Sequence, residues 1–229
     1  MVKTRLTAAF GSWKSPITSD LIVQGSVGLS QCTFDNEHIY WVELRPRESG
    51  RNVIVKWSPD GTRVDINPVP FNARTRVHEY GGGDYVVHKG TVYFSNFADQ
   101  RLYRTSDNSR PEPITAEADV RYTDGCIDAS RNRLIFIRED HTGTGEAVNT
   151  IVAVPFEGSA NIGELLIQGN DFYSSPRLSP DGTHLAWLTW NHPNMPWDGC
   201  ELWVGEVTHD GALENVRWMA GGTAMLTSH

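Results

Sequence analysis

Three cysteines in 229 residues, Cys32, Cys126 and Cys200, are too few, too dispersed and odd in number for a disulfide framework. None forms the C-x-x-C pair of a zinc site, and a reduced, cytoplasmic setting is the expectation. Basic residues are also short, 20 Lys plus Arg against 28 Asp plus Glu, for a net charge of -8. That excludes the electrostatic footprint of a protein for nucleic acid or an anionic membrane, so the expected partners are protein, peptide or small molecule. Long apolar runs are missing too. The stretch "MVKTRLTAAFGSW" is too short in apolar residues for a signal sequence, and nothing later approaches a membrane span. What the chain does have is punctuation: 21 Gly and 12 Pro, with 10% aromatics, the composition of many short strands joined by turns.

Those strands repeat. "HIYWVEL" (38 to 44), "TVYFSNF" (91 to 97), "RLIFIRE" (133 to 139) and "HLAWLTW" (184 to 190) each follow a short strand and a polar turn. Aligned on Trp41, Phe94, Phe136 and Trp187, they recur at roughly 40 to 50 residues, the length of a propeller blade. A third strand follows in each unit, "NVIVKW", "QRLYRT", "NTIVAV" and "CELWVGEV", and most units close with a fourth extended segment. Four strands per unit make one blade, so the expected fold is an all-β propeller of four-stranded antiparallel blades. About four blades are expected, at 28–70, 78–116, 120–168 and 171–222, forming either part of a ring or a four-bladed one.

The words "SPDGT" at 58 to 62 and 179 to 183 do not occupy matching places in their units. Asp-Gly there reads as turn chemistry, with Gly supplying the positive φ that a two-residue hairpin turn often demands. Asp60 and Asp181 are therefore poor candidates for catalysis.

Three longer stretches carry a family resemblance: "FGSWKSPITSDLIVQGSVGLSQ" (10 to 31), "RTRVHEYGGGDYVVHKGTVYFSNFADQRLYR" (74 to 104) and "DFYSSPRLSPDGTHLAWLTWNHPNMPWDGCELWV" (171 to 204). They resemble the N-terminal propeller of the prolyl oligopeptidase (S9) serine peptidases, in the acylaminoacyl-peptidase and dipeptidyl-aminopeptidase-like branch. The resemblance implies a seven-bladed propeller that restricts entry to small peptides, helps to bind them and caps a C-terminal α/β-hydrolase domain. It breaks off near Gly222, so that hydrolase domain is expected to be absent and the chain inactive by itself. Two other readings stay open: a free-standing TolB-like binding module, and one chain of a peptidase whose hydrolase domain is supplied in trans. Cut blade faces would be sticky, and pairing between copies through them is expected unless four blades close on themselves.

The chemistry of the chain agrees with a non-catalytic role. An α/β-hydrolase exposes its nucleophile on a G-x-S-x-G elbow, and none occurs in the sequence. No HExxH pair or tight Cys/His cluster suggests a metal, and "EYGGGDY" lacks the Lys-Ser/Thr of a phosphate loop, so no cofactor is expected. Two segments are left as candidates for substrate binding. "RTRVHEYGGG" places Arg76, His78, Glu79 and Tyr80 before an inner strand, where a carboxylate could receive a free amino terminus and an Arg a carbonyl or carboxylate. The same residues could instead make blade-to-blade hydrogen bonds, with the glycines permitting close packing. "TWNHPNMPWDG" is a long, proline-stiffened insertion whose Trp190 and Trp197 would offer contact surface, or else pack on the neighbouring blade.

Overall fold

The computed structural model describes residues 7–23, 25–107 and 109–222. Its strands form four antiparallel four-stranded sheets, each a simple meander in chain order. Blade 1 holds β1 (Gly28–Asp35), β2 (His38–Arg45), β3 (Arg51–Trp57) and β4 (Arg63–Asp65). Blade 2 holds β5 (Tyr85–His88), β6 (Thr91–Ser95), β7 (Leu102–Thr105) and β8 (Glu112–Pro113). Blade 3 holds β9 (Val120–Asp128), β10 (Arg133–Asp140), β11 (Val148–Pro155) and β12 (Glu164–Ile167). Blade 4 holds β13 (Phe172–Leu178), β14 (His184–Trp190), β15 (Glu201–Val207) and β16 (Leu213–Gly221). A five-residue helix, α1 (Ser19–Val23), precedes the blades, and a single turn, α2 (Pro196–Gly199), interrupts the β14–β15 connection. No helix among the described residues is long and apolar enough to cross a membrane.

Alternation along each second strand sends successive residues to opposite faces, and the two faces meet different neighbours. Tyr40 and Val42 of blade 1 pack on Val92 and Phe94 of blade 2. Tyr93 of blade 2 packs on Leu134 and Phe136 of blade 3. Ile135 and Ile137 of blade 3 pack on Leu185 and Trp187 of blade 4. Because blade 3 is covered on both sides, β10 and β11 run almost continuously apolar and buried.

The first strands lie side by side across the blades and are stitched by polar side chains. Left-handed residues mark bulges in three of them: Gln31 (φ 52°), Asp124 (φ 52°) and Ser175 (φ 54°). The Gln31 amide accepts the Asp84 N–H at 2.8 Å and donates to the Asp84 carboxylate at 2.8 Å. Asp124 accepts the Gly83 N–H at 2.6 Å and the Ser175 N–H at 3.2 Å. A Cβ on Gly82 would stand 2.3 Å from Thr123 Oγ1, so a glycine is needed for blade 2 to approach blade 3 this closely. Burial pushes the Asp84 carboxyl up to about 6, against the downward pull of the Thr75 N–H and the Gln31 amide.

The Asp-Gly turns correct the expected loop length. Ser58 N–H bonds to the Thr62 carbonyl at 3.0 Å, and Gly61 N–H to the Ser58 carbonyl at 2.9 Å. This is a three-residue loop with Gly61 in the left-handed position (φ 85°). Thr208–Ala212 is built the same way, with Gly211 at φ 94°; at Ser179 the Gly182 N–H again bonds to the Ser179 carbonyl (2.8 Å, Gly182 φ 70°), but the Ser179 N–H reaches the His184 carbonyl at 2.9 Å, so that loop is one residue longer. Asp181 accepts from Ser179 Oγ (2.6 Å) and Thr183 Oγ1 (2.8 Å), as well as from the Thr183 N–H (3.0 Å). These bonds, the Ser179 hydroxyl foremost, pull its carboxyl down to about 2. Each aspartate is thus occupied in closing its own turn.

Candidate functional site

Between blades 1 and 2 the chain turns a tight corner at residues 76–81. Glu79 N–H donates to the Arg76 carbonyl (2.9 Å) and Gly81 N–H to the Val77 carbonyl (2.9 Å), while the Val77 side chain is fully buried. His78 and Glu79 both take the left-handed conformation, at φ 53° and 64°, which costs an L-residue roughly 1–2 kcal/mol each. Neither is a glycine, so the corner must be held from elsewhere.

Blade 3 holds it. Glu139, at the end of β10 and 4% exposed, accepts the His78 N–H at 2.7 Å. Its other oxygen takes Arg121 Nη1 at 3.1 Å and His141 Nε2 at 2.6 Å. From β9, Arg121 also reaches the Arg76 carbonyl at 2.9 Å and the Glu79 carboxylate at 2.6 Å. That guanidinium holds the Glu79 carboxyl below its usual range, although the side chain stays 79% exposed. Bridging between blades and presenting a carboxylate to solvent therefore coexist in one residue.

The corner turns the His78 ring into a cleft of about 580 Å³ between blades 2, 3 and 4. Phe172 and Trp190 stack at 5.4 Å with 14° between their planes. His78 meets them edge-on at 5.3 and 5.7 Å, and His192 lies 4.9 Å from Phe172. Tyr80 closes the aromatic wall 5.7 Å from His78. Burial lowers the His78 pKa, outweighing the pull of Glu139, so this ring is neutral at neutral pH. Asn149 donates from Nδ2 to the Asp171 carbonyl at 2.7 Å. Its Oδ1 and His78 Nε2 are buried without hydrogen-bond partners among the described residues. Around the rim stand Glu79, Glu146 and Asp171. The His192 N–H and ring keep the Asp171 carboxyl below its usual range, at 2.8 and 3.0 Å. An acidic rim over an aromatic floor is chemistry for a cation joined to an apolar group.

Four of the six candidate residues, His78, Glu79, Tyr80 and Trp190, converge on this cleft. Arg76 does not: its guanidinium lies over the Phe97 ring, 5.6 Å from the centroid. Of the two alternatives open for its loop, Trp190 takes the packed one: it is 4% exposed and forms the floor. Trp197 is 73% exposed on α2 and lies outside the cleft lining. Sequence reasoning missed Glu139, Asn149, Asp171 and Phe172. Only Glu139 carried a signal, as the acid that ends the apolar run "RLIFIRE". No group of three or more His, Cys, Asp or Glu side chains that could hold a metal occurs among the described residues.

No protein-family model and no curated protein sequence matches the chain. Solved structures do. A puromycin-hydrolyzing peptidase from Mycobacterium tuberculosis is 36% identical over 96% of this chain and 36% of its own, with a TM-score of 0.84. A puromycin hydrolase is 34% identical over 95% of this chain and 36% of its own, also at 0.84. Prolyl oligopeptidase B from Galerina marginata shares the fold alone, at 14% identity, 84% and 31% coverage and a TM-score of 0.53. The chain spans just over a third of the length of these two puromycin-cleaving enzymes.

Proposed function

Because the chain is a β-propeller of the prolyl oligopeptidase (S9) peptidase family, we propose that it is the part of such an enzyme that admits substrate and holds its amino-terminal end. The observation that carries this reading is the cleft, in which exposed carboxylates rim a wall of stacked aromatics. A protonated amino terminus is drawn to Glu79, Glu146 and Asp171. The adjoining apolar side chain lies against Phe172, Trp190 and Tyr80 and gains from leaving water. Neutral His78 adds no positive charge to repel the ammonium. Catalysis is not part of the proposal, since these 229 residues contain no G-x-S-x-G elbow. The three free thiols fit a reducing, cytoplasmic setting.

The test is calorimetric titration of the chain with a short peptide bearing an aromatic first residue, with its N-acetylated counterpart, and with puromycin, which the two similar peptidases hydrolyse by name. The free-amine peptide is expected to bind at least about tenfold more tightly than the acetylated one, a difference of about 1.4 kcal/mol. Equal affinities would overturn recognition of the amino terminus. Chromogenic aminoacyl and acyl-peptide amides are expected to stay uncleaved; turnover that copurifies with the chain and stops with a serine-directed inhibitor would overturn the binding-only role.

A further inference from the structure

Arg74 and Arg76 stand outside the cleft but share an aromatic shelf beside it. The chain from Ala73 to Val77 alternates: Ala73, Thr75 and Val77 are buried, and both arginines are exposed on the opposite side. Phe97, just past the end of β6, lies under both guanidinium groups, whose central carbons are 5.3 and 5.6 Å from its ring centroid, within reach of a cation–π contact. The two positive charges therefore lie within about 11 Å of each other.

Buried polar groups fix this shelf. Arg74 N–H donates to the Ser95 carbonyl at 2.9 Å and Thr75 N–H to the Asp84 carboxylate at 2.7 Å. Gln100, 4% exposed and itself left-handed at φ 56°, accepts the Arg76 N–H at 2.8 Å and donates to the Phe97 carbonyl at 3.0 Å. One buried side chain thus holds both an arginine and the ring that the arginine covers. Arg45 and Arg121, at the same end of blades 1 and 3, pair with carboxylates of the chain, whereas Arg74 and Arg76 have none within ion-pair distance among the described residues. In a chain of net charge -8, two guanidiniums held side by side without a carboxylate of their own mark a place for an external one.

Shelf and cleft are neighbours. Phe97 follows β6 where Glu139 and Trp190 stand at the ends of β10 and β14, so all three face one side of the array. Tyr80 lines the cleft and also a second cavity of about 390 Å³, to which Arg74, Gly81 and Gly82 contribute. The Glu79 carboxyl, held low chiefly by Arg121, also feels the Arg76 charge.

We propose that Arg74 and Arg76 receive a carboxylate of the same peptide whose amino terminus lies in the cleft, an inference that rests on the reading of the cleft given above. The substrate class is then a short peptide with opposite charges at its two ends, laid across Tyr80. Guanidinium forks suit a carboxylate because two parallel N–H groups match its two oxygens, and holding them on Phe97 beforehand lowers the entropy lost on binding.

Calorimetric titration with Phe-Ala-Ala, its carboxyl-terminal amide, its N-acetyl form and Phe-Ala-Asp amide tests this, on the unaltered chain and on the double variant Arg74→Gln/Arg76→Gln. The unaltered chain is expected to bind the free acid about tenfold more tightly than the plain amide. The double variant, with unchanged far-UV circular dichroism, is expected to bind both at the amide's affinity. Its preference for a free over an acetylated amino terminus is expected to survive, since Glu79, Glu146 and Asp171 are untouched. Phe-Ala-Asp amide bound as tightly as the free acid assigns the carboxylate to a side chain; bound as weakly as the plain amide, it assigns it to the chain terminus. Equal affinity of the unaltered chain for acid and plain amide overturns the inference and leaves recognition of the amino terminus standing. Loss of the amine preference with the acid preference intact overturns that recognition and leaves Arg74 and Arg76 as a carboxylate site on their own. A double variant that binds acid and amide more weakly by the same factor shows a purely structural role and overturns the inference as well.

Discussion

Two kinds of left-handed turn stand in this chain, and they are stabilised in opposite ways. The Asp-Gly turns use glycine at the left-handed position and bond to their own atoms within five residues. The corner at His78 and Glu79 puts two side-chain-bearing residues there and relies on Glu139 and Arg121, more than 40 residues on in sequence. A turn that closes on itself can be moved between blades, as its two copies, Ser58–Thr62 in blade 1 and Thr208–Ala212 in blade 4, show. A corner held from another blade stores strain next to the cleft it shapes, which is where strained backbone tends to collect.

Removing the remote support breaks that comparison most sharply. Glu139→Ala leaves the His78 N–H and the buried end of Arg121 without their acceptor. It is expected to cost about 3 kcal/mol in urea unfolding and to abolish binding of the free-amine peptide; a loss no larger than that of a surface mutation would show that the corner is self-supporting. In the self-closing class, Gly61→Ala meets no atom within 4 Å, so it tests backbone conformation alone. The expected loss is about 1 kcal/mol, with peptide affinity unchanged.

Glu79→Gly sharpens the contrast from the other side. Glycine relieves the left-handed strain, and the exposed pair with Arg121 is worth little in water. The melting temperature should rise by about 2–4 °C while affinity for the free amino terminus falls; a drop in both would mean that Glu79 anchors the corner. The smallest effect concerns pH. The Asp181 carboxyl sits at about 2 in the folded chain against an ordinary 3.8. Its contribution is therefore present above about pH 4 and lost as pH falls through 2. Asp181→Asn should flatten the stability profile in that window alone, measured by thermal unfolding across pH 2 to 5.

The difference between the turns also explains what could be read without coordinates. The strands, their alternation and the Asp-Gly turns are local features, and the second strands lie where "HIYWVEL", "TVYFSNF", "RLIFIRE" and "HLAWLTW" predict them. Loop length is not legible, because Gly61 serves a bulged three-residue loop as readily as a two-residue one. At the cleft, Glu79 and Tyr80 were visible as a polar cluster beside glycines. For Trp190 the sequence leaves contact surface and packing both open, because its loop neighbours are polar. Phe172, which buries it, lies 18 residues earlier, at the start of another strand.

By itself the sequence determined the blade: which residues form strands, where they reverse and which alternate side chains seek cover, since these depend on neighbours a few residues away. Only the tertiary structure decided what the blades hold between them. Glu139, Asn149 and Phe172 become one site with His78 because stacking brings the ends of β10, β11 and β13 to a single corner. Trp41 holds the place on blade 1 that Phe94, Phe136 and Trp187 hold on theirs, but there the Arg63 guanidinium lies 5.9 Å from its ring centroid and its Nε1–H donates to Glu43 at 3.1 Å. Identical alternation meets a neighbouring blade in three of these places and polar side chains of its own blade in the fourth.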